Sequence, residues 1–199
     1  MIDVKPEAAI DSTGLEASMA SAHYVRRRRD GNRRYRKRKF PKLTLVCHTQ
    51  SHLIAAALAS IGPSYDVKLF TPVIEKAVAN LCVDRLLADA GYDSESNHCA
   101  ARQALGIRSA IIALNRRGRR KYRRGRRPLP KGKYRRQMAR RFFKRKYGQR
   151  WQVESVISRL KRRLGARLSG RSDTSRQEQS DLRVLTHNLM LLAGAVDSP

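Results

Sequence analysis

Apolar residues in this chain come in short runs, and two of those runs stop at an aspartate. Ala8-Ala9-Ile10 leads into Asp11-Ser12-Thr13-Gly14, and Leu86-Leu87-Ala88 leads into Asp89-Ala90-Gly91-Tyr92. Runs of that length, bounded by turn-forming residues, read as strands rather than helices. Lys42 to Gln50 and Leu53 to Ser60 are two further runs separated by a short polar break, which predicts a hairpin, and Ser109 to Leu114 is another strand. Helical signals alternate with them. Thr71-Pro72 supplies an N-cap followed by proline at the first helical position, predicting a helix to about Asn80. Asp93-Ser94-Glu95-Ser96 opens another that Gly106 ends. Two helices close the chain, from about Gly148 to Leu164 and from about Thr174 to Ala195. The second carries Leu182, Leu185, Leu189 and Leu192 at spacings of three and four, so its apolar face is expected to pack on the sheet. Strands alternating with helices over 199 residues predict a single α/β domain spanning 1–199, with helices covering a mixed sheet.

Charge narrows the partners. The chain holds 44 Lys and Arg against 16 Asp and Glu, a formal charge of +28. Two stretches, Val25 to Lys42 and Arg116 to Lys146, hold 29 of those 44 cations. A polyanion balances such clusters, and nucleic acid is the leading candidate because neutralising phosphates releases condensed counterions. Residues 115–146, punctuated by Gly118, Gly125, Pro128, Pro130 and Gly132, read as an exposed, irregular basic insertion without core residues. No apolar run is long enough to span a membrane and no signal peptide is present, so a cytoplasmic, nucleoid-associated location without membrane contact is expected. Cys47, Cys82 and Cys99 are odd in number and lack metal-site spacing, and read as small buried hydrophobes.

Glu154 is the only acid between Glu95 and Asp173. On a helical wheel at about 100° per residue it shares a polar stripe with Tyr147, Arg150 and Lys161, beside a face of Val153, Ile157, Leu160 and Leu164. Asp11 and Asp89 each follow a core strand, where the backbone would hold a ligand rigidly. Each acid also has an ordinary reading, as a turn cap for the aspartates and as a helix ion pair with Arg150 for Glu154. Together they supply the hard oxygen ligands that a two-metal site for Mg²⁺ or Mn²⁺ requires on a cationic, DNA-holding surface. No P-loop, GxSxG or HExxH pattern competes, and His187, in a leucine-rich helix, reads as a buried histidine.

Tyr147-Gly-Gln-Arg150-Trp-Gln-Val-Glu154-Ser-Val-Ile-Ser-Arg-Leu-Lys161 resembles the Y-x2-R-x3-E-x6-K signature of bacterial insertion-sequence DDE transposases. Asp89-Ala90-Gly91-Tyr92 resembles the D-x-G-Y element of the same group, and Asp11-Ser12-Thr13-Gly14 its first-aspartate strand. The resemblance runs from about residue 8 to residue 192. It implies an RNase H-like fold with a mixed sheet of about five strands, and a basic insertion before the last catalytic helix. By the same resemblance Asp11, Asp89 and Glu154 would be the catalytic metal ligands, and Tyr147, Arg150 and Lys161 would contact DNA phosphates. Arg26, Arg27, Arg116, Arg119 and Arg123 of the basic stretches would add to the grip on double-stranded DNA, both transposon ends and target, with a homodimer on DNA as the assembly. Members of that group carry a helical region ahead of the first aspartate, whereas ten residues precede Asp11 here, so a fragment, a split element or a decayed remnant is expected. The competing readings are a non-catalytic basic nucleic-acid binder and a host nuclease of the same fold.

Overall fold

The computed structural model describes residues 6–17, 39–115 and 129–196. Arg26, Arg27, Arg116, Arg119 and Arg123 lie outside the described residues. The strands are β1 (Glu7–Gly14), β2 (Glu16–Ala17), β3 (Phe40–His48), β4 (Ile54–Gly62), β5 (Arg85–Ala88), β6 (Ser109–Ile112) and β7 (Arg167–Leu168). The helices are α1 (Asp66–Asn80), α2 (Glu95–Cys99), α3 (Lys133–Arg140), α4 (Lys144–Tyr147), α5 (Trp151–Leu164) and α6 (Asp173–Val196). A π-helical turn, Ala100–Ala104, extends α2. Five strands form one mixed sheet in the order β4-β3-β1-β5-β6, with β2 and β7 pairing separately. β1 runs antiparallel to β3 and parallel to β5, and β5 is parallel to β6. Flanked by helices, this is the RNase H-like arrangement expected above.

The central strands are apolar on both sides because both faces are covered. Ala8, Ile10, Leu86, Ala88, Ala110 and Ile112 face Phe70, Val73, Ile74 and Ala77 of α1. Ala9, Leu45, Leu87 and Ile111 face Val153, Val156 and Leu160 of α5. Each of those three α5 side chains is buried, and burial of one such side chain contributes about 1.5–3 kcal/mol. Side chains alternate along a strand. Asp11, two residues beyond Ala9, and Asp89, two beyond Leu87, are therefore directed to the α5 face.

Several expectations need correction. β1 does not stop at Asp11 but continues to Gly14, because Ser12 and Thr13 pair with Thr44 and Leu43 of β3. α1 begins at Asp66, not after Thr71, and Pro72 lies inside it. Its first turns are fixed by tertiary contacts: Phe70 is fully buried and meets the Tyr92 ring at 6.0 Å, and Asp66 pairs with Lys42 at 2.6 Å. The basic stretch is not irregular throughout. Residues 133–140 form α3, Met138 enters the core, and Glu95 accepts from the backbone N–H groups of Tyr134 (2.9 Å) and Arg135 (3.0 Å) at the helix start. That carboxylate meets the positive end of the helix dipole. Arg135 also makes a two-pronged pair with Asp93, whose side chain is fully buried.

The fourth correction concerns α6. Its leucines do not pack on the sheet; Leu182, Leu185, Leu189 and Leu192 are 51–62% exposed. Polar groups dock the helix instead. Asn188 bonds both the N–H and the carbonyl of Ile54 on the edge strand β4, each at 2.9 Å, and the buried His187 reaches the His52 carbonyl at 3.2 Å. Arg183 donates to the carbonyls of Gly165 and Arg167. The reading of His187 as buried holds. Cys47 is buried as expected, but Cys82 is exposed, and all three cysteines are free.

Candidate active site

Two aspartates come side by side through strand register. Ile10 of β1 pairs with Ala88 of the parallel β5, so Asp11 and Asp89 are the next residue on each strand. Asp11 Oδ1 accepts from the Ser12 N–H at 2.8 Å. Asp89 Oδ1 accepts from the Gly91 N–H at 2.7 Å, which makes it the cap of the turn Ala90–Tyr92 as well. Burial raises the Asp11 carboxyl above the ordinary aspartate range, and the negative charges of Asp89 and Glu154 add to that rise. The Ser12 N–H and Arg150 pull the other way. The three acids thus share one electrostatic neighbourhood.

Helix α5 brings Glu154 over the same strand ends. Its inner positions Val153, Val156 and Leu160 are buried, leaving Glu154 exposed one step around the helix. Glu154, Lys161, Ser158 and Arg162 line one cleft with Asp11, Ser12 and Thr13. Arg150 sits between the acids: Nη1 lies 3.3 Å from Asp11 Oδ2, and Nη2 donates to Glu154 Oε1. Glu154 therefore does form the helix ion pair, and the arginine that makes it also ties the helix to β1. Partial burial opposes the Arg150 charge, but Tyr147, Glu154 and Asp11 outweigh it and hold its pKa above the ordinary arginine value. Tyr147 is half-buried against Phe142, their ring centroids 4.9 Å apart, and hydrogen-bonds Arg150. His52, at φ +62°, fixes the helix from the other side, with Nε2 2.6 Å from Gln152 Oε1 and Nδ1 3.2 Å from Arg159.

Several supporting residues escaped sequence reasoning. Ser12 Oγ lies 2.7 Å from both Thr44 Oγ1 and the Tyr92 hydroxyl, locking the strand beside Asp11 to the turn beyond Asp89. This explains the tyrosine of the Asp89-Ala90-Gly91-Tyr92 element. Its glycine has a steric reason: a Cβ on Gly91 would lie 2.9 Å from Asp89 Oδ1 and 3.2 Å from Asp66 Oδ2. Asp66 is a fourth acid at the edge of the site. Its partner Lys42 is buried and donates to the Ser64 carbonyl at 2.8 Å, and its contact with Asp66 Oδ1 is an ion pair without hydrogen-bond alignment. The only signal for Lys42 and Asp66 in the sequence was their charge, with nothing to say that they meet.

Among the described residues no group of three or more His, Cys, Asp or Glu side chains is gathered closely enough to hold a metal ion. Arg150 occupies the space between Asp11 and Glu154. The chemistry of the donors still suits a hard divalent cation, since carboxylate oxygens are the ligands such ions take and the charges of Asp89 and Glu154 both reach Asp11. Among the described residues no helix is long and apolar enough to cross a membrane. No curated protein matches the chain. A family profile described as Transposase DDE domain matches residues 3–189, nearly the whole sequence. The chain belongs to the DDE transposase domain family.

Proposed function

We propose that this chain cuts a phosphodiester at the end of an insertion sequence and joins the resulting 3′-hydroxyl to target DNA. The observation that carries the reading is the meeting of Asp11 and Glu154, 143 residues apart in sequence, in one cleft beside Asp89, with Arg150 and Lys161 at its edge. Asp11, Asp89 and Glu154 would hold two Mg²⁺ or Mn²⁺ ions. When bound, such ions activate the attacking oxygen and stabilise the leaving one. In the first step the water oxygen bonds to phosphorus as the bond to the 3′-oxygen breaks. In the second, that 3′-oxygen bonds to a target phosphorus and displaces the target's own 3′-oxygen. Arg150, freed from the carboxylates, and Lys161 at the mouth would pair with backbone phosphates, with Tyr147 orienting Arg150 from behind. Arg26, Arg27, Arg116, Arg119 and Arg123 would extend that grip along the double strand. The match of Tyr147, Arg150, Glu154 and Lys161 to the Y-x2-R-x3-E-x6-K signature supports an insertion-sequence source.

The test is Glu154→Gln, which keeps the helix and removes one ligand charge. Metal-dependent strand cleavage is expected to vanish while duplex binding is retained. Cleavage at the unaltered rate would overturn the assignment. Cleavage without joining by the unaltered chain would favour a host nuclease.

A further inference from the structure

The loop between β3 and β4 holds, among the described residues, the one non-glycine backbone in the left-handed region, His52 at φ +62°. A side chain is strained in that region, although histidine enters it more readily than most residues. The turn itself makes no demand for an imidazole. It is closed by main-chain bonds, from the His48 N–H to the Leu53 carbonyl at 2.9 Å and from the His52 N–H to the His48 carbonyl at 3.0 Å, which a glycine could make equally well.

The imidazole is committed elsewhere, to two levels of α5. Nε2 lies 2.6 Å from Gln152 Oε1, and Nδ1 lies 3.2 Å from Arg159 Nη2. Arginine can only donate, so Nδ1 is the acceptor and Nε2 carries the hydrogen given to the Gln152 oxygen. The grip thus needs a neutral ring in one tautomer. Gln152 and Arg159 stand about two turns apart on one line of the helix, and Glu154 is about 200° around from Gln152, on the opposite side. Val153, Val156 and Leu160 press α5 onto the sheet, but apolar contact is non-directional. Hydrogen bonds at two levels fix the rotation that it leaves free.

Rotation of this helix matters at Glu154. A helix with its side chains is about 10–12 Å across, so a roll of about 10° moves a carboxylate at its rim by about 1 Å. A misplacement of that size costs about 10²-fold in rate. The charged and titratable groups around the ring are Arg159 from α5, His187 from α6, whose Nε2 reaches the His52 carbonyl, and His48 at the end of β3. Arg163 acts on His187 and Glu7 on His48. A second proton on the ring would turn Nδ1 into a donor facing the Arg159 guanidinium, and that bond would be lost.

We propose that His52 is a positioning residue for the reaction proposed above: its neutral ring sets the rotation of α5, and with it the approach of Glu154 to Asp11, and protonation of the ring releases that setting. The inference rests on the reading of Asp11 and Glu154 as metal ligands.

The experiment compares the whole unaltered chain with His52→Gly and His52→Gln. Glycine accepts the backbone conformation and removes both bonds, whereas glutamine supplies one donor and one acceptor and takes up no proton. In His52→Gly, kcat for metal-dependent strand cleavage should fall on the order of tenfold, with KM for duplex DNA and the melting temperature unchanged, and His52→Gln should restore most of it. From about pH 8 down to about pH 5, kcat of the unaltered chain should fall more steeply than that of His52→Gln. The acids of the site titrate in both proteins, so the difference isolates the ring. An unchanged kcat in His52→Gly, a melting temperature that falls together with kcat, or superimposable pH profiles would overturn the proposal. If the unaltered chain cuts no DNA, the proposed function fails on its own, and the rotation is read from Trp151, the chain's one tryptophan, which is exposed beside Gln152. Its emission and its quenching by acrylamide should change in His52→Gly and return in His52→Gln; identical behaviour in all three proteins would overturn the positioning role.

Discussion

Gly91 is where a single carbon atom should separate catalysis from folding. In Gly91→Ala the new methyl would stand 2.9 Å from Asp89 Oδ1 and 3.2 Å from Asp66 Oδ2, where ordinary contact begins at 3.4 Å. Asp89 Oδ1 must then retreat by about 0.5 Å, more than the ~0.2 Å within which metal–ligand distances are held. The two obstacles are ends of side chains rather than backbone, and Gly91 does not sit in the left-handed region, so the fold can absorb the change. Alanine also narrows the unfolded ensemble by about 0.4–1 kcal/mol, which offsets part of the crowding. Stability should therefore shift by no more than about 1 kcal/mol. A misplacement of about 1 Å costs about 10²-fold in rate, so about 0.5 Å points to a loss on the order of tenfold. Initial rates of metal-dependent strand cleavage, with a thermal melt and a duplex-binding curve on the same samples, read all three quantities. A folded variant that cleaves as fast as the unaltered chain would refute the crowding argument, and one that binds and cleaves normally but melts far earlier would show that the glycine serves the turn instead.

Glu95→Ala removes the acceptors for two N–H groups of α3 and should cost about 2 kcal/mol in urea unfolding, with Glu95→Gln recovering only part of it, because its one amide oxygen can accept from only one of the two. His98 is buried without a hydrogen-bond partner for either ring nitrogen, and burial, assisted by Arg102, lowers its pKa from 6.5 to about 4. The unfolded chain binds that proton first, so this contribution to stability is present above pH 6.5 and is lost as pH falls toward about 4; the loss is about 3 kcal/mol, and His98→Phe should flatten that slope in melts taken across the window. Duplex affinity should fall on the order of 10³-fold from about 50 to about 200 mM salt if about six phosphates are neutralised, and a flat salt response in a filter-binding titration would remove the electrostatic argument.

Strands were readable where apolar runs are continuous. The hairpin of β3 and β4, the short β5 and β6, and the mixed sheet all follow from runs of three to eight residues between turn formers. What escaped was structure held by polar groups. Ser12 and Thr13 look like a turn in sequence, yet they extend β1 because Thr44 and Tyr92 satisfy the Ser12 hydroxyl. α3 hides inside a cationic stretch because its cap, Glu95, lies 39 residues upstream and its one buried anchor is Met138. The Thr71-Pro72 start was a sound local signal that lost to a distant contact, the burial of Phe70 against Tyr92.

The same division explains the site and the last helix. Asp11, Asp89 and Glu154 each have an ordinary local reading, and they stand out only as a set, two aspartates after core strands and a lone glutamate in a cationic stretch, which the strand register and the α5 stripe bring to one end of the sheet. Their support does not stand out. Lys42, Asp66, Thr44 and His52 become meaningful only when strands and helices are laid side by side, since each acts through a partner 20 or more residues away. α6 shows the converse. Its leucine spacing predicts a buried face, but periodicity is blind to which surface would receive it. Here the inner face is claimed by Asn188, which continues the hydrogen bonding of the open edge of β4 through Ile54, a bond pair that no leucine could make. An open strand edge left bare is exposed to pairing with other chains. Capping it with an amide fixes which side of α6 faces inward, and the leucines are thereby turned to the outside.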